Sequence, residues 1–257
     1  MDITTVGSER GVEESSFALE VEGESVPGLI WRPERADGPT PLVLIGHGGT
    51  THKRVDYVLS LARRFVRHLG YSAVAIDAPG HGDRVRDPEA AAAARRALEA
   101  RIAGGPGQGP RVVSEAQSAE WAERTRRGVL EWTATLDALV EGGFADERVG
   151  YWGVSMGTAI GLPYVASDRR IKAAVLGLAG LGMGGRSFEE AARSLEMPVL
   201  FVFQWDDELM SRQSGLDLFD AIGSKDKAMH IFPGGHVQTP LWERDAYESF
   251  FTRHLGT

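Results

Sequence analysis

A serine flanked by glycines stands near the middle of the chain. The segment Gly153-Val154-Ser155-Met156-Gly157 follows an apolar run and precedes a stretch of helical character. A G-x-S-x-G pattern between a strand and a helix holds its serine at a sharp turn, where small neighbours avoid clashes. The N–H groups that begin the following helix would stabilise an oxyanion formed at that serine. The pattern therefore indicates a serine nucleophile, but by itself it fits an ordinary strand-to-helix turn equally well.

A nucleophilic serine needs a base, and the base needs an acid that orients it. His236 follows the last predicted strand and the residues Pro233-Gly234-Gly235, which let a loop bring the imidazole close to the serine. Two adjacent acids, Asp206 and Asp207, follow an earlier predicted strand. Both groups come just after strand ends, where a parallel sheet gathers its active site. The sequence thus predicts His236 as the base and leaves both aspartates open as the acid.

Short apolar runs alternate with longer stretches of helical periodicity. The runs expected to form strands are Leu42–Ile45, Ser72–Ile76, Arg148–Trp152, Ala173–Leu176, Val199–Phe203 and Met229–Phe232. The stretches expected to form helices are Val55–Leu69, Glu115–Val140, Ser155–Ala166, Leu216–Ile222 and Tyr247–Leu255. Near-continuous apolar strands are typical of a parallel sheet that is covered on both faces. We therefore expect a doubly wound α/β fold, opened by an antiparallel hairpin over Phe17–Glu22 and Leu29–Trp31.

One segment, 84–111, interrupts this alternation. Its first part, 88–102, is rich in Ala, Arg and Glu, which favours helix, and a Gly- and Pro-rich run follows over 104–110. We interpret the segment as a small helical cap or lid over the carboxyl ends of the strands. The alternative is an excursion on the surface of the protein. The whole chain, 1–257, is expected to form a single domain with this segment inserted in it.

The composition excludes several classes of protein. Of the 257 residues, 42% are hydrophobic and 25% are charged, as in globular proteins, and the net charge of −8 argues against nucleic-acid binding. No apolar run approaches the roughly 20 residues that span a bilayer, and the first residues do not resemble a secretory signal. We therefore expect a cytoplasmic protein without membrane association. The absence of cysteine excludes disulfides, thiolate metal sites and a cysteine nucleophile. No metal-ligand spacing is visible, so neither a metal nor a cofactor is expected.

From about Pro41 to its C-terminus the chain resembles the α/β-hydrolase superfamily. Besides the serine, aspartate and histidine in the order of that family, the segment 46–50 (Gly-His-Gly-Gly-Thr) is similar to its HG-type oxyanion loop. The segment 77–84 (Asp-Ala-Pro-Gly-His-Gly-Asp-Arg) is similar to its D-x-x-G-x-G segment and to small esterases near the dienelactone-hydrolase-like branch. Dienelactone hydrolases proper use a cysteine where this chain has Ser155. Their lactone specificity is therefore not carried over.

The resemblance also implies roles for particular residues. The family pattern G-x-x-D-x-x-V-P, laid on 204–211, places the acid on Asp207 rather than Asp206, although Gln, Met and Ser replace its Gly, Val and Pro. The backbone N–H groups of Gly49 and Met156 are expected to form the oxyanion hole. The residues that we expect to line the substrate pocket are His47, Thr50 and Trp205.

These residues lead to the expectation of a serine hydrolase that cleaves a small-molecule carboxylic ester, with a short or medium acyl group, through an acyl-enzyme. Acyl transfer, thioester cleavage, perhydrolysis and peptide cleavage remain open, because the same triad serves them. A scaffold that binds a ligand without catalysis is also open, since fold alone does not exclude it. The sequence carries no information on the oligomeric state.

Overall fold

The computed structural model of the protein describes residues 2–105 and 114–256. In these residues nine strands form one sheet, in the order β1-β2-β3-β5-β4-β6-β7-β8-β9. The strands are β1 (Asp2–Glu9), β2 (Val12–Val21), β3 (Glu24–Pro33), β4 (Thr40–Gly46), β5 (Ser72–Ile76), β6 (Ala145–Val154), β7 (Ile171–Gly177), β8 (Val199–Gln204) and β9 (Lys227–Phe232). Strands β5, β4, β6, β7, β8 and β9 run parallel to one another. Strands β1, β2 and β3 pair antiparallel, and β3 also pairs antiparallel with β5. The predicted α/β class, with antiparallel strands at its amino end, is confirmed.

Seven α-helices accompany the sheet in the described residues. They are α1 (Asp56–Arg64), α2 (Pro88–Ala103), α3 (Glu115–Glu141), α4 (Met156–Ser167), α5 (Gly185–Arg193), α6 (Arg212–Ala221) and α7 (Glu243–Leu255). The helix expected over Val55–Leu69 is α1 followed by a π-helical turn, Phe65–Leu69, which ends at the left-handed Gly70. Each predicted helix is therefore present, with bounds displaced by a few residues.

The sheet has an apolar core on each face. Helices α1 and α7 cover one face, where Val58, Phe65 and Phe251 pack against strand residues such as Val43 and Val175. Helices α3, α4, α5 and α6 cover the other face, and their buried side chains include Leu136, Ile160, Phe188 and Leu218. Alternate side chains of each central strand enter opposite cores, so the side chains on both faces of the strand must be apolar. This double burial is the physical reason for the near-continuous apolar runs in the sequence.

Two elements have no counterpart among the sequence predictions. Strand β1 is an edge strand whose residues carry little apolar character, and its Val6 side chain is exposed. Helix α5 is short and rich in charge, and it buries only Phe188 and Ala192. Such elements depend on their neighbours for stability, so a periodicity argument misses them.

The segment 84–111 forms α2 in its first part. Asp87 caps this helix by accepting the N–H of Ala90, and Pro88 occupies a first-turn position that needs no N–H donor. None of the described side chains of α2 is buried. Residues 106–111 lie outside the described residues, so the assignment of the whole segment as a cap stays a prediction. No helix in the described ranges is long and apolar enough to cross a membrane.

Candidate active site

Ser155 occupies the turn between β6 and α4 in a strained backbone conformation, with φ of 57° and ψ of −120°. The turn is so tight that a Cβ at Gly157 would overlap the carbonyl oxygen of Gly46 on the neighbouring strand. A Cβ at Gly153 would lie 2.8 Å from the carbonyl oxygen of Gly157. The backbone N–H of Ser155 donates to the carbonyl oxygen of Gly177, at 2.9 Å, and so joins the turn to β7. Both glycines of the pattern are therefore required by close main-chain approach.

Two buried hydroxyl groups form hydrogen bonds with main-chain atoms in and beside this turn. The hydroxyl of Tyr151 donates to the carbonyl oxygen of Gly157 at 2.8 Å. Thr158 Oγ1 accepts the N–H of Gly177 at 2.8 Å and lies 2.8 Å from the carbonyl oxygen of Gly153. Sequence reasoning missed both residues. Their nearness to the serine in the chain was the signal that could have pointed to them.

His236 lies between the serine and an acid, although it is 81 residues from Ser155 in the chain. Its Nε2 atom is 2.9 Å from Ser155 Oγ, and its Nδ1 atom is 2.7 Å from Asp207 Oδ2. The ring is buried, with 7% of its side chain exposed. Hydrogen bonds within a buried pocket are stronger than in water, so this orientation of the imidazole is well defined.

The side chains of Asp207 and Asp206, in the loop after β8, point in different directions. The carboxylate of Asp207 is fully buried, and its Oδ1 atom accepts the N–H groups of Leu209 and Met210 at 2.8 and 2.9 Å. The side chain of Asp206 is half-exposed and lies 3.7 Å from the guanidinium of Arg212. The structure therefore brings Ser155, His236 and Asp207 together and leaves Asp206 outside the cluster.

Gly49 and Met156, whose backbone N–H groups are predicted to form an oxyanion hole, lie close together. A Cβ built at Gly49 would be 3.9 Å from the Cβ of Met156, so the loop after β4 contacts the start of α4. Gly48 is held by other partners: its N–H donates to the Tyr57 hydroxyl at 2.6 Å and its carbonyl oxygen accepts from Thr51 at 2.7 Å. Among the residues that the structure describes, the N–H groups of Gly49 and Met156 have no hydrogen-bond partner. Neither N–H group is occupied by a described protein group, as an oxyanion hole requires.

His47 is buried and holds two loops together. Its Nδ1 donates to the carbonyl oxygen of Gly48 at 2.8 Å, and its Nε2 accepts the N–H of Ala78 at 3.0 Å. Burial lowers the pKa of His47 to about 4, so the ring is neutral at pH 7. These contacts use both ring nitrogens in joining the loops that follow β4 and β5.

Thr50 and Trp205, the other two residues expected to line the pocket, lie in different settings. Thr50 adopts a left-handed conformation, with φ of 59°, in the loop after β4. Trp205 is about half-exposed, and the guanidinium of Arg212 lies 3.7 Å from the centroid of its ring. Arg212, the first residue of α6, thus covers one side of the Trp205 ring. No contact between Trp205 and Ser155 is present among the described residues.

Asp77, in the segment similar to D-x-x-G-x-G, organises the loop after β5. Its carboxylate accepts the backbone N–H and the ammonium group of Lys53 and also the N–H of Asp83, at 2.9, 2.6 and 2.9 Å. Burial disfavours its ionised form, but these hydrogen bonds outweigh burial and keep the pKa of Asp77 below its usual range. A Cβ at Gly82 would overlap this carboxylate. The segment therefore serves the loop structure, and Lys53, which the sequence analysis missed, is its second anchor.

Arg84, at the end of the same loop, forms a buried ion pair with α3. Its guanidinium donates two hydrogen bonds of 2.7 Å to Glu131, and it also donates to the carbonyl oxygen of Asp77 at 3.0 Å. The pair fixes the base of the inserted segment to the helix that follows it. In residues 2–105 and 114–256, no group of three or more His, Cys, Asp or Glu side chains could hold a metal ion.

Comparisons with models of protein families and with curated proteins find no match. Among solved structures, the chain is 37% identical to a cold-adapted esterase from an Arctic intertidal metagenomic library, in its PEG-bound complex. That similarity covers 99% of this chain and 100% of the other, with a TM-score of 0.81.

More distant structures share the fold. An acetyl xylan esterase from Paenibacillus sp. R4 is 16% identical, with a TM-score of 0.72 over 99% of this chain and 88% of the other. A dienelactone hydrolase from Anabaena variabilis is 15% identical, with a TM-score of 0.66 over 96% of this chain and 100% of the other. The identity to the Arctic enzyme, over both whole chains, goes beyond a shared fold. The chain therefore belongs to the α/β-hydrolase superfamily, among its carboxylesterase-type enzymes.

Proposed function

We propose that the protein hydrolyses carboxylic esters through an acyl-enzyme formed on Ser155, with His236 as general base and Asp207 as the acid that orients it. The observation that carries this proposal is the pair of contacts at His236, 2.9 Å to Ser155 Oγ and 2.7 Å to Asp207 Oδ2. These distances lie within the range in which a base takes up the proton of a nucleophile.

In the acylation step, His236 Nε2 takes the proton of Ser155 while Oγ bonds to the ester carbonyl carbon. The electron pair of the C=O double bond moves onto its oxygen, which becomes an oxyanion. When that pair returns, the bond to the alkoxy oxygen breaks. His236 gives its proton to the departing oxygen, so the alcohol leaves neutral.

In the deacylation step, water replaces the alcohol. His236 takes a proton from the water as the water oxygen bonds to the acyl carbon. The second oxyanion collapses with loss of Ser155 Oγ, which recovers its proton from His236. The products are a carboxylic acid and the free enzyme, and no cofactor takes part.

The Asp207 carboxylate sets the tautomer of the base. An ionised carboxylate only accepts hydrogen bonds, so His236 Nδ1 must carry a proton and Nε2 must be free to accept one. The same negative charge stabilises the imidazolium that forms during each step. The N–H groups of Leu209 and Met210 donate to Asp207 Oδ1 and hold the carboxylate in place beside the ring.

The oxyanion is met by the N–H groups of Gly49 and Met156. Each donor of this kind stabilises the transition state by about 3–4 kcal/mol. The proximity of the two residues and the lack of described partners for their N–H groups support this assignment.

The proposed substrates are esters of short or medium acyl groups. The inserted segment contributes one described helix, α2, of 16 residues and without a buried side chain. We propose that α2 forms part of the cover over the site, where a helix of this size offers little apolar surface to a long acyl chain. A series of p-nitrophenyl esters of increasing acyl-chain length tests this point. The value of kcat/KM should be highest for acyl chains shorter than those of typical membrane lipids.

Replacement of Ser155 by Ala tests the mechanism. Without Oγ no acyl-enzyme can form, so turnover of p-nitrophenyl acetate should fall by about 10⁴-fold or more. A fluorophosphonate probe should label Ser155 of the wild type, detected by mass spectrometry, and should leave the variant unlabelled. The matched control is Ser8→Ala, at an exposed serine of β1, which should keep the wild-type rate. Survival of turnover in the Ser155 variant would end the proposal.

A further inference from the structure

Glu208, the residue after the proposed triad acid, makes a contact that the mechanism above does not use. Its Oε2 atom accepts the backbone N–H of His236 at 2.8 Å. Two consecutive residues of the loop after β8 thus hold His236 at two different points. Asp207 binds the imidazole at Nδ1, and Glu208 binds the main chain from which that imidazole extends.

The loop that carries His236 is shaped to admit this carboxylate. Gly235 is buried, and a Cβ there would overlap Glu208; the three atoms nearest to it all belong to the Glu208 carboxyl group. The backbone of Gly235 lies outside the left-handed region, so conformational freedom is not the reason for a glycine at this position. The reason is space for the Glu208 carboxylate.

The rest of the turn is closed on itself. The N–H of Gly235 donates to Gln238 Oε1 at 2.9 Å, and the N–H of Gln238 donates back to the carbonyl oxygen of Gly235 at 2.9 Å. The carbonyl oxygen of Gly234 accepts the N–H of Asp206 at 3.1 Å. The turn is therefore a compact unit. Glu208 and the Asp206 backbone attach it to the loop after β8.

We infer that Glu208 is a positioning residue, which fixes the backbone of His236 so that Nε2 stays in line with Ser155 Oγ. The inference rests on the proposed function, because it concerns the base of that mechanism. The Asp207 contact alone leaves the imidazole free to move with its loop, whereas a second anchor on the main chain removes that freedom. Displacement of a reacting group by about 1 Å can lower a rate by about 100-fold.

Removal of the acceptor is the first test. Glu208→Ala should lower kcat on p-nitrophenyl acetate by about 10- to 100-fold, because the base is displaced in the transition state. KM should stay within about twofold, because the side chain contacts no proposed substrate group. Glu208→Gln keeps an acceptor oxygen for the His236 N–H and should retain kcat within about threefold of the wild type. A role limited to overall stability would change the melting temperature and would not produce this division between kcat and KM.

A double-variant cycle with Gly235 is the second test. In Gly235→Ala the added methyl group displaces the Glu208 carboxylate, so kcat should fall about as far as in Glu208→Ala. In the Glu208→Ala background the methyl group has room, and the same substitution should change kcat by less than about twofold. The pair should therefore be strongly non-additive. If Glu208→Ala folds poorly, Gly235→Ala and Glu208→Gln still test the inference, because one displaces the carboxylate and the other keeps an acceptor oxygen in its place.

Controls separate this inference from the proposed function. Asp206→Ala, on the same loop but paired with Arg212 at the surface, should keep kcat within about twofold. If the wild type fails to hydrolyse the ester, or Ser155→Ala still does, the proposed function is wrong and the inference falls with it. If that function holds, the inference is overturned by a Glu208→Ala enzyme with wild-type kcat. It is also overturned by a Glu208→Gln enzyme as impaired as the alanine variant, or by additive effects at Glu208 and Gly235.

Discussion

At the scale of single residues, the two adjacent aspartates show how much side-chain direction decides. Asp207 is buried against His236, whereas Asp206 faces Arg212 near the solvent. The two side chains are chemically identical, and the two residues are neighbours in the chain. The family pattern placed the acid on Asp207, and the geometry of the loop after β8 brings only the Asp207 carboxylate to His236.

Asp207→Asn should lower kcat by about 10³- to 10⁴-fold. The amide nitrogen of an asparagine would donate to His236 Nδ1, so the proton of the neutral ring would move to Nε2. A protonated Nε2 cannot accept the proton of Ser155. Steady-state kinetics on p-nitrophenyl acetate measure this loss.

Asp206→Asn is the matched variant for this comparison, since the same change is made one residue away. It removes one partner of a half-exposed ion pair and should leave kcat within about twofold. A large loss at position 206 together with a small loss at position 207 would contradict the assignment.

At the scale of elements, the turn from β6 into α4 depends on contacts between main chains. The carbonyl oxygen of Gly46 lies where a Cβ of residue 157 would be, and the Tyr151 hydroxyl holds the carbonyl oxygen of Gly157. The main-chain atoms of Gly46 belong to a paired strand and cannot rotate away as a flexible side chain can. The turn therefore tolerates no side chain at this position.

Gly157→Ala should destabilise the protein by about 1–3 kcal/mol, because the methyl group overlaps backbone that cannot be displaced freely. It should also lower kcat, since α4 and its first N–H groups must shift to relieve the overlap. Chemical denaturation followed by tryptophan fluorescence measures the free energy of unfolding.

Gly38→Ala is the control for this prediction. No atom lies within 4 Å of a Cβ at Gly38, and its backbone is outside the left-handed region. Its free energy of unfolding should remain within about 0.5 kcal/mol of the wild type. Equal stability of the two variants would refute the argument from main-chain overlap.

At the scale of the whole molecule, His47 links stability to pH. Only 2% of its surface is exposed, and burial lowers its pKa from 6.5 to about 4. Between these values the unfolded chain holds the proton and the folded protein does not. Stability from this residue is therefore complete at neutral pH and is lost as the pH falls through this interval.

The free energy of unfolding should decrease by about 2 kcal/mol between about pH 7 and pH 5 on account of His47. Denaturant titrations at several pH values measure this slope. His47→Gln has no ring to protonate, so its slope over the same interval should be smaller, although the variant is less stable at pH 7. Burial also lowers the pKa of His81 and His254, and these residues keep part of the dependence in both proteins. Identical slopes in the two proteins would show that His47 is not the source.

Much of this protein could be predicted from local patterns. Apolar runs with turn residues after them indicated the central strands, and helical periodicity indicated most helices. The glycines around Ser155 indicated a strand-to-helix turn, because close main-chain approach restricts the residue types that a turn accepts. These signals are local, so a sequence carries them directly.

Other properties arose only from packing between distant parts of the chain. The contact of Asp207 with the His236 ring, the use of His47 to join two loops, and the contact of Glu208 with the His236 backbone all depend on residues far apart in sequence. Side-chain direction and burial are set by the neighbours that the fold brings together, and no periodicity encodes them. The sequence by itself thus determined the elements and the kinds of chemical group present. Only the tertiary structure decided which of those groups meet, because hydrogen bonds and burial act through space rather than along the chain.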